Sequence, residues 1–192
     1  AGTLTINANA LTITAKSFSS PTYTGSTNSA LATALANSDL SAVVSATGFS
    51  GTDSISASIA SVTYKYQGTG STFYPLNTAE PTKAGTYQIV PVVTFKAGFV
   101  SSNYSTITYA NSSYSITQAP LTYSNSTNAS ATYGDSAPTF NVVLSGWVNS
   151  ESASTASGYV APTCSAATYS ATSAVTTTPA YSCSGGSADN YL

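Results

Sequence analysis

Cys164 and Cys183 are the only thiols in the chain. Two cysteines in a Ser/Thr-rich sequence without methionine read as one disulfide made in an oxidising compartment; the alternative is two free, buried thiols. A bridge closing about 20 residues contributes roughly 3 kcal/mol by restricting the unfolded chain. Zinc would need more ligands, and histidine is absent. Without histidine, Ser-His-Asp and Cys-His arrangements are impossible. A Ser–Lys dyad is formally available, but no motif supports it. Glycosidase chemistry would require two of the six acids to converge. Asp53 and Glu151 occupy equivalent places in separate stretches and are expected to cap turns. The expectation is a chain with no enzymatic activity and no cofactor.

Other residues could do chemistry of a different kind. A Lys–Asn isopeptide bond needs a buried lysine beside an amide and an acid. Lys16, Lys65, Lys83 and Lys96 all precede residue 119, so such a crosslink cannot be shared by the two halves. Calcium would need clustered oxygens, for which Asp135 and Asp189 are the candidates, but acids are few. The 14 tyrosines and Trp147 could stack on sugar rings, although alternation turns many of the tyrosines inward and favours packing for Trp147. Asn-X-Ser/Thr sequons occur at Asn103, Asn111, Asn125 and Asn128, as chance allows in so hydroxyl-rich a chain.

Such groups must be positioned by a folded body. Charged residues make up only 5% of the chain, against about 25% in ordinary globular proteins. Low hydrophobicity would argue for disorder, but 42% of the residues are apolar and they alternate. The net charge of −2, without a basic cluster, excludes the usual nucleic-acid footprint. No apolar run is long enough for a membrane-spanning helix. A chain opening on Ala1 is expected to be processed or a piece of a longer one.

Period-two patterns dominate. Val62, Tyr64 and Tyr66 alternate with Thr63, Lys65 and Gln67. Tyr87, Ile89, Val93 and Phe95 share a face opposite Gln88, Thr94 and Lys96, and Phe140, Val142 and Leu144 alternate with Asn141 and Val143. These are half-buried strands separated by Gly, Asn and Ser clusters. One segment departs: Asn28–Leu40 is Ala- and Leu-rich, and Asn28 or Ser29 could cap a short helix.

The landmarks come twice, in the same order. Leu11-Thr12-Ile13-Thr14 returns as Leu121-Thr122-Tyr123-Ser124, and Pro21-Thr22-Tyr23-Thr24-Gly25 as Ala131-Thr132-Tyr133-Gly134-Asp135. Gly48-Phe49 with Asp53 matches Gly146-Trp147 with Glu151. Tyr87 matches Tyr181, and Asn103-Tyr104 matches Asn190-Tyr191. Shared order with changing gaps means tandem copies of one fold. Residues 8–118 form the first repeat and 119–192 the second, which lacks its last strand. Residues 1–7 read as the closing strand of a preceding copy. Within them Thr3, Leu4, Thr5, Ile6 and Asn7 could instead donate a strand to the open edge of a neighbouring molecule. Cys164 falls opposite Tyr64 and Cys183 opposite Ile89, which places the two cysteine strands facing each other across the core. The fold class expected is all-β: two tandem immunoglobulin-like sandwiches, with a β-grasp-like sheet as the fallback.

Several motifs together resemble the MBG-type repeats, and the related Tyr-Asp-Gly repeats, of large bacterial surface proteins such as filamentous haemagglutinin-like adhesins. They are Ala1-Gly2-Thr3-Leu4-Thr5-Ile6, Pro81-Thr82-Lys83-Ala84-Gly85-Thr86-Tyr87, Ala119-Pro120-Leu121-Thr122, Thr132-Tyr133-Gly134-Asp135-Ser136-Ala137-Pro138, Ser145-Gly146-Trp147-Val148-Asn149 and Ser184-Gly185-Gly186-Ser187-Ala188-Asp189-Asn190-Tyr191. The first repeat departs by its Tyr23-Thr24-Gly25 and a longer insertion. The resemblance implies an extracellular, cell-surface stalk repeat without catalytic residues. Its partners would be adjacent repeats. The alternatives are a filament subunit joined head to tail to identical neighbours and a carbohydrate-binding module for surface glycans.

Overall fold

The computed structural model describes residues 2–125, 129–140 and 142–192. Ala1, Asn141, Asn128 and the residues Ser126 and Thr127 of the sequon at Asn125 lie outside the described residues. The fold is all-β, and the described residues include two short α-helices. The chain forms two compact units, one of Ala1–Pro21 with Ser26–Thr117 and the other of Thr22–Gly25 with Gln118–Leu192.

The first unit contains two three-stranded sheets. In one, β1 (Asn9–Ala15) lies between β2 (Val44–Thr47), antiparallel to it, and β5 (Tyr104–Ala110), parallel to it. In the other, β4 (Gly85–Phe95) lies between β3 (Ile59–Gly68) and β6 (Ser112–Ile116), all antiparallel. Alternation decides which side chains turn inward. Leu11 and Ile13 of β1, Val62, Tyr64 and Tyr66 of β3, and Tyr87 and Ile89 of β4 are all buried. The Tyr64 hydroxyl donates to the Val43 carbonyl and its ring meets Phe18 edge-on. Pro91 sits inside a central strand, where a missing N–H would ordinarily break a ladder. It is tolerated because β6 pairs only with Gly85–Ile89 and so ends before reaching it.

The Ala/Leu segment forms helix α1 (Ser29–Leu35), with the Asn28 side chain accepting from the Ala30 N–H as N-cap and Leu31 wholly buried. Helix α2 (Ile55–Ser58) is a single turn capped by Ser54.

The second unit is built from shorter pieces. β7 (Thr122–Asn125) pairs with β8 (Val142–Ser145), and β9 (Thr163–Ser165) with β10 (Ser182–Ser184), both antiparallel. The last residues lie parallel to Ala119–Leu121: the Ala119 N–H donates to Asn190 O, the Leu121 N–H to Leu192 O and the Leu192 N–H to Ala119 O. Its buried apolar residues are small or few, chiefly Tyr23, Ala119, Cys183, Ala188 and Tyr191, while Tyr133, Val160 and Val175 are exposed.

The cysteine strands are hydrogen-bonded neighbours, which corrects the expectation that they face each other across the core. Cys164 and Cys183 are direct partners in the β9–β10 ladder. In the first unit Tyr64 partners Pro91 and Tyr66 partners Ile89, so the cysteine pair is displaced by two residues from the landmark alignment. A slip of two keeps each side chain on its face, whereas a slip of one would not.

Candidate functional site

Part of the recurring set, namely the glycine, the aromatic residue after it, the acid and the tyrosine of the Asn-Tyr pair, meets in one constellation, formed once in each unit. In the first unit Gly48 lies against the β1 backbone with φ 98°, and a Cβ there would stand 1.9 Å from Ala10 O. Phe49, held by that turn, meets Tyr104 edge-on at 6.2 Å. The Tyr104 hydroxyl donates to Asp53 Oδ2 at 2.8 Å and accepts the Ser50 N–H at 3.3 Å. Asp53 Oδ1 accepts the Ser58 hydroxyl at 2.8 Å.

The second unit repeats each part. Gly146 has φ 106°, and a Cβ there would stand 2.5 Å from Pro120 O. Trp147 meets Tyr191 edge-on at 5.0 Å and Tyr159 at 5.8 Å. The Tyr191 hydroxyl donates to Glu151 Oε2 at 2.6 Å and accepts the Val148 N–H at 3.2 Å. The Tyr23 hydroxyl takes the other carboxylate oxygen, Oε1, at 2.8 Å, and its ring meets Tyr191 edge-on at 5.7 Å. Even the strand pairing agrees: Asn9 partners Tyr104, and Ala119 partners Tyr191, both in parallel.

The constellation is a latch. A glycine lets a turn touch the unit's opening segment, and an aromatic ring from that turn packs on a tyrosine that opens the last parallel segment. A carboxylate four residues beyond the ring then grips the tyrosine hydroxyl. Asp53 and Glu151 therefore anchor tyrosine hydroxyls, which corrects the expectation that they cap turns. Each is half-buried and accepts two hydroxyl donors. Such hydrogen bonds to an ionised acceptor are about twice as strong as neutral ones.

Burial, aided by the Glu151 charge, pushes the Tyr191 phenol up to about 12 and raises Tyr23 in the same direction. Burial likewise raises Tyr64, Tyr66, Tyr87 and Tyr114, with the Glu80 charge adding to the shift at Tyr66 and Tyr114. A folded-state pKa above the unfolded value near 10 gives stability that is complete below about pH 10 and lost as pH rises through the folded value. Tyr191 thus places its share of the loss between about pH 10 and 12. An alkaline titration should show late-ionising tyrosines, by absorbance at the tyrosinate band, appearing together with loss of far-ultraviolet dichroism. Tyr191→Phe should lower stability by roughly 1–3 kcal/mol, since a half-buried carboxylate loses a donor. Uniform ionisation of all tyrosines near their ordinary value in a still-folded chain would contradict this.

Other candidate residues behave differently. Cys164 and Cys183 form a disulfide of S–S 2.05 Å. Thr3, Leu4, Thr5, Ile6 and Asn7 belong to no strand, and Leu4 and Ile6 are 88% and 89% exposed. None of Lys16, Lys65, Lys83 and Lys96 is buried, as an isopeptide lysine must be. Asp189 accepts the Ser157 hydroxyl at 2.6 Å, while Asp135 uses its backbone oxygen to accept from the Tyr169 hydroxyl at 2.9 Å. Among the described residues no three His, Cys, Asp or Glu side chains cluster as metal ligands. Trp147 is half-buried and meets two tyrosine rings, so it is not a free stacking platform. Asn103 and Asn111 are exposed, and the Asn111 amide donates to Gln88 Oε1 at 3.0 Å.

Sequence reasoning found the landmarks but missed what joins them. The signal was present: an acid and an Asn-Tyr pair hold matching places in both halves, and a tyrosine hydroxyl entering a core needs an acceptor. No protein-family model, curated protein or solved structure matches the chain. No helix among the described residues is long and apolar enough to cross a membrane.

Proposed function

We propose that the chain is a structural spacer, a pair of stalk repeats from an extracellular bacterial adhesin of the kind that carries MBG-type repeats. The observation that carries this reading is the latch occurring in both units. A segment built twice to the same internal plan, with its carboxylates committed to tyrosine hydroxyls, supports repetition as the function and a non-catalytic role. The disulfide is compatible with a cell-surface setting. In this reading the partners are neighbouring repeats, and each repeat adds length.

One observation favours a second reading. Leu4 and Ile6 are apolar, alternate in sequence and stand almost fully exposed. By the landmark register they correspond to Tyr114 and Ile116 of β6, both buried. A filament subunit would seat Thr3–Asn7 on a neighbouring copy. A third reading, glycan binding, draws on a cavity of about 510 Å³ in the second unit, lined in part by Tyr133, Phe140, Tyr169 and Tyr181.

Sedimentation velocity over a wide concentration range separates the readings. The spacer predicts a monomer throughout. Polymers that vanish when residues 2–7 are deleted would replace it with the filament subunit. Specific capture on a glycan array, lost in Tyr169→Ala, would replace it with the binding module.

A further inference from the structure

We infer that the first unit carries axial load through a shear clamp made of its first and last chain segments. The inference rests on the spacer reading, because a spacer in a surface protein is pulled from its two ends. It deepens that reading by naming the part that resists.

The segments lie side by side over most of the unit. β1 runs parallel to β5, with Leu11 opposite Ile107 and Thr14 opposite Ala110. Beyond β1 the two segments remain side by side. The Ser112 hydroxyl donates to Lys16 O at 2.8 Å, the Ser20 and Ser115 hydroxyls meet at 2.6 Å, and the Thr117 N–H donates to Pro21 O at 2.9 Å. Lys16–Ser112 and Pro21–Thr117 keep a separation of 96 residues, the same spacing as Leu11–Ile107. Asn9–Pro21 and Tyr104–Thr117 thus form one parallel seam that passes from the first sheet to the second.

Direction decides how such a seam fails. The chain enters at Asn9, at one end of the seam, and leaves at Thr117, at the other end. Pulling those two points apart slides one segment along the other. The inter-strand bonds cross that axis and share the load, so they must break together. If the segments were antiparallel, both pulling points would lie at one end and the bonds would open one at a time.

The ends of the seam are also fastened. At the entry, the Asn9 amide donates to Gly48 O at 2.9 Å, while Tyr104 opposite Asn9 is held by Asp53 and by the Phe49 and Phe99 rings. The latch therefore locks the point where force arrives. In the second unit, parallel bonding of Ala119–Leu121 to Asn190–Leu192 repeats the entry to this seam.

The test is force spectroscopy on the full chain with two pairs of engineered cysteine handles, all at exposed positions. The native cysteines are bonded to each other and leave the handles unique. Ala8→Cys with Gln118→Cys pulls in shear. Ala8→Cys with Ser102→Cys pulls from one end of the seam and peels it. Melting temperatures matching the parent establish that both variants fold, and Asn7→Cys or Ser101→Cys replaces any handle that disturbs folding. The shear pair should rupture at several-fold higher force at equal loading rate. Once Thr22–Gly25 has also left the second unit, its length gain should approach the roughly 350 Å set by about 110 residues less the folded span. Tyr104→Phe weakens the end of the seam that both handle pairs load, so it should lower the rupture force in both geometries. Equal rupture forces in the two geometries would overturn the clamp and leave the spacer reading standing. Self-association in solution would overturn the spacer reading and leave the clamp.

Discussion

Breaking the Cys164–Cys183 bond is expected to unfold the second unit and leave the first folded. The second unit buries little apolar surface among its described residues, and much of that is alanine and tyrosine. The first rests on Leu11, Ile13, Leu31, Val43, Val44, Ile59 and Ile89, all essentially inaccessible to water. Small bodies with thin cores depend on covalent staples. The bridge spans 19 residues and joins direct partners of a three-residue ladder that would be marginal alone. Its loss should cost roughly 3 kcal/mol, a large share of the stability of a body this size. Thermal melting of Cys164→Ser/Cys183→Ser, or of the parent in reductant, should show one transition moved sharply down and one unmoved. A melting profile insensitive to reductant would show that the ladder holds without its staple.

The second large effect is expected at Gly48. Alanine there meets two separate costs. The backbone has φ 98°, a region that side chains rarely adopt, and the new Cβ would lie 1.9 Å from the Ala10 carbonyl oxygen. That oxygen belongs to the backbone of β1 and cannot turn aside as a flexible side chain could. Strain and displacement together should cost roughly 3–5 kcal/mol. Gly51→Ala is the matched control. Its φ of 68° also favours glycine, but nothing lies within 4 Å of the new atom, so only about 1–2 kcal/mol is expected. Urea denaturation of the two variants gives the comparison directly. Equal losses would mean that the close approach of the turn to β1 contributes nothing, and the latch would lose its hinge. Gly146→Ala should be milder than Gly48→Ala, because its nearest atom, Pro120 O, is 2.5 Å away.

These two results concern residues the sequence singles out for different reasons. The cysteines are conspicuous because they are the only pair. Gly48 and Gly146 are conspicuous because an aromatic residue follows each and an acid lies five residues on. Neither pattern says what the residue touches. Ser/Thr-rich stretches between the landmarks weaken any inference about neighbours, since their side chains suit a loop, a turn or the outer face of a strand equally well. Tyr23 shows the difficulty. Its place in a turn-rich run is plain, yet nothing local says that its hydroxyl would reach Glu151, 128 residues away.

Local chemistry alone settled the strand class and the inward faces, and it narrowed the cap of α1 to Asn28 or Ser29. Period-two alternation marked Val62, Tyr64, Tyr66, Tyr87 and Ile89 as core, and all are buried. An amide side chain ahead of an Ala/Leu run marked the helix start, and Asn28 caps it. Only tertiary structure decided which strands are neighbours. Alternation specifies the face a residue takes but is silent on the strand beside it. Hence the disulfide could be read as crossing the core when it staples adjacent strands, and the parallel seam of β1 with β5 could not be read at all. Its partners are joined by long-range hydrogen bonds, and those depend on the closure of the whole sheet rather than on any short run of residues.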